Sequence, residues 1–131
     1  MSHGLIRACL VGLTLATVVL AACGQPAPAT PAASNDPAVI NGAQLFRSKG
    51  CIACHVAQGV PGATGTIGPN LNGIGDPAKK PKLTDGGNNT PEHIREWIKD
   101  PQKLKPGTMM PNLQLSDKEA DDLTALLLTL K

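Results

Sequence analysis

The chain has 131 residues and, with 12 Lys+Arg against 10 Asp+Glu, a net charge of only +2, too balanced for the basic stripe that nucleic-acid binding requires. Gly 14 and Pro 12 supply about a fifth of it, while Phe 1, Trp 1 and Tyr 0 leave it almost without the large side chains that dominate most cores. A short chain of this kind needs a disulfide, a metal or another staple to hold a fold, which argues against a self-sufficient enzyme domain and against multidomain machinery.

Residues 1–8 carry Arg7 and no acid, and residues 9–22 (CLVGLTLATVVLAA) are apolar apart from two Thr and one Gly. That run falls short of the roughly 20 residues that span a bilayer. A basic start, a short apolar run and small residues at its end predict a secretory signal over 1–22. The junction Leu20-Ala21-Ala22-Cys23-Gly24 resembles a bacterial lipoprotein signal. The resemblance implies cleavage before Cys23 and a lipid on its sulfur, a stable membrane anchor once two or more acyl chains are present. Cys9 would then be discarded and Cys23 capped, so that Cys51 and Cys54 remain. Residues 24–38 hold four Pro and no large apolar side chain. With Cys23 they predict a tether over 23–38, reaching about 45 Å if extended at ~3.1 Å per residue.

The remaining 39–131 predict one all-α domain. Asp36-Pro37 is a helix start, with Val39, Ile40, Ala43 and Phe46 at helical spacing and Gly50 closing the helix. Thr90-Pro91-Glu92 repeats the start signal. Ile94, Trp97 and Ile98 form its apolar face, and Pro101 stops it. Ser116-Asp117-Lys118-Glu119 is a capping box ahead of a terminal helix striped by Leu123, Leu126, Leu127 and Leu130. No convincing strand pair is present. The Gly/Pro-rich stretches 59–89 and 101–112 are long for loops in a compact domain, so something inside must organise them.

Residues 51–55 read Cys-Ile-Ala-Cys-His, the attachment signature of a c-type haem. Two thiols one turn apart can each form a thioether with a porphyrin vinyl group, and the adjacent His55 can take an axial position on iron. A thioredoxin-type site would need a βαβ setting, and a structural zinc would need a second ligand pair. A plain disulfide explains neither the histidine nor the thin core. For the second axial position the candidates are Met109, Met110 and His93. Thioether chemistry favours a methionine of the loop Lys105-Pro106-Gly107-Thr108-Met109-Met110-Pro111, and His93 is expected on a solvated helix start.

With these motifs in hand, 39–131 resembles the class I cytochromes c. Gly42-Ala43-Gln44-Leu45-Phe46 resembles the family's first helix, Cys51–His55 its haem motif, and Gly68-Pro69-Asn70-Leu71 the loop whose Pro carbonyl accepts the proximal His N–H. Pro106–Pro111 resembles the axial methionine loop. The resemblance implies a cytochrome c fold of three principal helices with long Gly/Pro-rich loops around one haem c, covalent through Cys51 and Cys54. It implies His55 and Met110 as iron ligands, Pro69 as the partner of His55, and Trp97 lining the Met side. Trp97-Ile98-Lys99-Asp100-Pro101 ahead of that loop is similar to small bacterial lipoprotein cytochromes and to cytochrome domains fused to cytochrome c oxidase subunit II. The terminal helix departs from the family where it lacks the aromatic that meets the first helix near Gly42, with Leu126 standing in.

The implied function is single-electron carriage without bond chemistry, in an extracytoplasmic, lipid-anchored protein of a respiratory chain. A quinol-oxidising complex would be donor and a terminal oxidase acceptor. The alternative is a haem enzyme or gas or peroxide sensor in which Met110 is displaced. Lys79, Lys80, Lys82, Lys99, Lys103 and Lys105 fall between the haem motif and the Met loop, and Asp117, Glu119, Asp121 and Asp122 on the last helix. A basic patch around a haem edge would steer toward acidic partners.

Overall fold

The computed structural model describes residues 34–76, 83 and 85–131. The signal, Cys23 and most of the tether lie outside these residues, as do Lys79, Lys80 and Lys82. Among the described residues the elements are α1 (Pro37–Ser48), α2 (Cys51–Cys54), α3 (Pro91–Lys99), α4 (Pro101–Leu104) and α5 (Asp117–Thr129). Extended pairing among them is confined to one isolated bridge, Val56 with Thr64. This is the all-α architecture the periodicity predicts, with two short helices added.

The helix starts follow their caps. Asp36 accepts the Ala38 N–H at 2.9 Å ahead of Pro37, and the Thr90 hydroxyl accepts the His93 N–H at 3.2 Å ahead of Pro91. Ser116 and Glu119 form a reciprocal capping box, with the Ser116 N–H donating to Glu119 Oε2 at 2.9 Å. Each cap supplies partners to backbone N–H groups that a helix leaves unsatisfied. Gly50 ends α1 in the left-handed region at φ 79°, where an L side chain would be strained, and the chain turns directly into α2. Pro101 does more than stop α3. It is buried, and it opens α4, for which Asp100 is the N-cap.

α1 lies chiefly against α5, and α3 packs on α5 beside it. The α1–α5 crossing is at Gly42, where a Cβ would sit 2.2 Å from the Asp122 carbonyl oxygen and 2.9 Å from Leu126 Cβ. Leu126 is fully buried there, the position expected of it. Ile40 departs from expectation. It is 43% exposed, because Val39, Ala43 and Phe46 complete the inward stripe and Ile40 falls at its edge.

After α2, the described residues 56–76 are tied by backbone bonds to the haem-motif turn and to α5. Gly68 N–H donates to the Cys54 carbonyl at 2.7 Å and Leu71 N–H to Val56 at 2.9 Å. Gly75 N–H reaches Leu130 at 2.9 Å, tying the loop to the end of α5. Ion pairs join α3 and α1 to α5. Arg95 bridges Asp117 at 2.7 Å and Asp121 at 2.5 Å, Lys99 meets Asp117 at 2.5 Å, and Lys49 meets Glu119 at 2.8 Å. No described helix is long and apolar enough to cross a membrane.

Candidate functional site

Between α2, α3, α5 and the two Gly/Pro-rich loops lies a cavity of about 490 Å³, within the range of cofactor pockets, roughly 300–1,000 Å³. Cys51, Cys54, His55, Pro69, Trp97 and Met110 all line it. Apolar side chains from α1, α3 and α5 complete the wall, among them Phe46, Ile94, Leu123 and Leu127. Ile74, Leu83 and Leu113 also reach it from the loops. Their only sequence signal is an isolated apolar residue among Gly, Pro and polar neighbours, which has no period to read.

α2 is a single turn, so Cys51 and Cys54 project from one side of it. Both are free, half-buried thiols. Burial pushes the Cys51 thiol up to about 11, only partly offset by a backbone hydrogen bond. It is a neutral group in apolar surroundings rather than a reactive thiolate.

His55 leaves α2 in an extended conformation, which swings its ring toward the cavity. Its Nδ1 lies 2.8 Å from the Pro69 carbonyl oxygen. A carbonyl has no proton to give, so Nδ1 carries the proton and Nε2 keeps its lone pair. Gly68 makes this approach possible. A Cβ there would sit 2.5 Å from His55 Cε1 and 2.8 Å from Nδ1, so any side chain would displace the ring or the loop.

Of the methionine pair, Met110 is half-buried on the cavity wall, and its Sδ accepts the Trp97 Nε1–H at 3.2 Å. Met109 is 83% exposed at the rim. His93 is absent from the cavity wall, and it is not the solvated surface residue that its helix-start position suggests. Its Nε2 pairs with Asp85 Oδ2 at 2.8 Å, binding the preceding loop to α3. Burial opposes ionisation of Asp85, but the Gly87 N–H and His93 outweigh it and hold the carboxyl below its ordinary value.

A donor set of two thiols and an imidazole with a free Nε2, around an apolar cavity, fits one haem attached through paired thioethers. Residues 39–131 match the Cytochrome c family. The chain belongs to the cytochrome c family. Cytochrome c2 of Blastochloris viridis is 34% identical over 123 residues, covering 86% of this chain and 88% of that protein. Cytochrome c oxidase subunit 2 of Alkalihalophilus pseudofirmus is 35% identical over 92 residues, covering 69% of this chain. The chain spans only 25% of that subunit's length. Among solved structures, cytochrome cH from Methylobacterium extorquens superposes with a TM-score of 0.50 at 27% identity, covering 68% of this chain and 95% of that one.

The protein is therefore a class I c-type cytochrome, with haem c bound covalently through Cys51 and Cys54. The charge pattern needs revision. Lys99 points away from the haem pocket to Asp117. The acidic cluster on α5 is spent on internal pairs, with Asp122 taking Lys118 at 2.8 Å. Of the described lysines in the expected patch, Lys103 and Lys105 stay on the exposed surface near the Met loop.

Proposed function

We propose that this cytochrome is a lipid-tethered, extracytoplasmic carrier of single electrons in a respiratory chain, with His55 and Met110 as its iron ligands and no bond chemistry of its own. Residues 1–22 are its signal, 23–38 its lipidated tether and 39–131 the redox domain. The observation that carries the reading is a matched pair of held donors on one cavity. His55 is oriented by the Pro69 carbonyl, and the Met110 sulfur is held by the Trp97 indole. Haem c supplies the one-electron iron couple.

The chain's own residues supply the rest. A hydrogen bond on Nδ1 orients the His55 ring and raises the basicity of Nε2, as outer-shell partners do at metal sites. Trp97 engages one sulfur lone pair of Met110 and would leave the other for iron. Donors held in this way would need to move little when the charge on iron changes, so electron transfer would carry little reorganisation. The apolar wall keeps water from the centre. Ile67, 66% exposed, and Met109 border the opening and give a partner a small apolar contact, in keeping with weak redox encounters.

The likeness to cytochrome c oxidase subunit 2 supports a terminal oxidase as acceptor, and a quinol-oxidising complex is the matching donor. Both rest on analogy at the level of the fold.

The oxidised holoprotein should show the weak near-red band of Met–iron ligation. Met110→Ala should abolish it and Met109→Ala should leave it. The reverse pattern would overturn the ligand assignment, and rapid CO binding by the wild type would favour a sensor or enzyme. An intact mass that begins at an unmodified residue other than Cys23 would remove the lipid tether.

A further inference from the structure

The loop that carries Met110 is gripped by a side chain from outside it. Gln102, the second residue of α4, engages both ends of its amide. Nε2 donates to the Thr108 carbonyl at 2.7 Å and to the Met110 carbonyl at 3.1 Å, and Oε1 accepts the Gly107 N–H at 3.1 Å. Only one orientation of the amide satisfies all of these. The flipped group would face oxygen to two carbonyl oxygens and NH₂ to an N–H.

Besides Gln102, the segment is held at the Met110 side chain by the Trp97 indole and by a turn of its own. The Thr108 N–H closes a turn on the Lys105 carbonyl at 3.2 Å, with Pro106 and then Gly107 (φ 81°) at its centre, the pattern of a type II turn. From Thr108 to Met110 the backbone is neither helix nor strand. The base of the clamp is firm by contrast. Pro101, the first residue of α4, is buried, and Asp100 caps the helix through the Lys103 N–H at 3.2 Å. Gln102 itself faces solvent and does not line the cavity.

We propose that Gln102 is a positioning residue for Met110. Its side chain fixes the backbone of 107–110 to α4 and so sets how often the Met110 thioether swings out of the cavity. The inference rests on Met110 being the ligand. A carboxylate at position 102 could still accept from Gly107 but would turn oxygen toward two carbonyls, so a glutamate is as disruptive as an alanine.

The test uses the holoprotein carrying Gln102→Ala, Gln102→Glu or Met110→Ala. Its readouts are hydrogen exchange at the Gly107 amide, the near-red band, the urea midpoint, and the rate at which imidazole binds the oxidised protein, which is limited by departure of the thioether. Both Gln102 variants should exchange Gly107 faster and bind imidazole about tenfold faster, as loss of two or three partly exposed hydrogen bonds implies. A lowered urea midpoint with unchanged imidazole rates marks a merely structural role and overturns the inference, as does unchanged exchange at Gly107. Met110→Ala reports on the ligand separately. Retention of the band there defeats the ligand assignment, whereas its loss there beside unchanged imidazole rates at position 102 defeats the clamp alone.

Discussion

The Trp97 indole N–H points at the Met110 sulfur, 3.2 Å away. One aromatic residue thus fills the wall of the cavity and holds the side chain proposed as its ligand. The indole can only donate, so the hydrogen bond withdraws density from the sulfur in both oxidation states.

Trp97→Phe keeps an aromatic ring, smaller than the indole, and removes the donor. With Met110 as the ligand, the thioether would become a better donor to the oxidised iron and the reduction potential would fall. A hydrogen bond worth about 1 kcal/mol corresponds to at most about 40 mV for one electron. Protein-film voltammetry of the variant should show a drop of that order with the near-red band retained. A rise in potential would contradict the assignment.

Without haem the domain should not hold. The apolar wall formed by Phe46, Ile94, Leu123 and Leu127 would then face water instead of haem, and a chain this short with so few aromatics has little other apolar burial to hold it. The double variant Cys51→Ser/Cys54→Ser, purified without haem, should show little helical signal in far-ultraviolet circular dichroism. A native-like spectrum would refute this account of the thin core.

Acid should weaken the α5 contacts. Lys49, followed by Ser116, holds Glu119 at about 2, and Lys99 with Arg95 holds Asp117 below its ordinary value. These carboxylates bind protons less readily folded than unfolded. Their contribution is complete above the unfolded values near pH 4–4.5 and is lost as pH falls through the folded ones, toward about 2 for Glu119. Both groups are exposed, so the effect should be modest and reduced by salt. The urea midpoint of the holoprotein should fall on acidification below about pH 5. Lys49→Gln should flatten that fall, and an unchanged slope would show that the Lys49–Glu119 pair contributes nothing.

Gly42→Ala places a Cβ 2.2 Å from the Asp122 carbonyl oxygen, a backbone atom that cannot rotate away. α1 must shift off α5, at a cost of about 1–3 kcal/mol for overpacking, which exceeds the gain in helix propensity of about 1 kcal/mol. Thermal unfolding should fall by several degrees. A more stable variant would mean that the crossing is looser than described.

Local signals in the chain account for much of this fold. The starts of α1, α3 and α5 are legible because Asp36-Pro37, Thr90-Pro91 and Ser116 with Glu119 act within a few residues of themselves. α2 and α4 are not legible as helices. Each is four residues long, too short to show a period, and α4 follows a proline that reads locally as a stop. Ile40 shows the same limit, since spacing identifies a stripe but not how wide it is.

By itself the sequence determined the composition of the centre. Cys51, Cys54 and His55 lie within five residues, and their chemistry needs no distant partner to be recognised. Tertiary structure alone decided which groups meet them. It took Lys99 and Arg95 to α5 rather than to the haem pocket, paired His93 with Asp85, turned Met109 outward and Met110 in, and brought Gln102 against the loop that carries both methionines. Neighbouring residues of a loop have no fixed alternation of inside and outside. Their direction is set by what packs against them from elsewhere in the chain, and that information is not local.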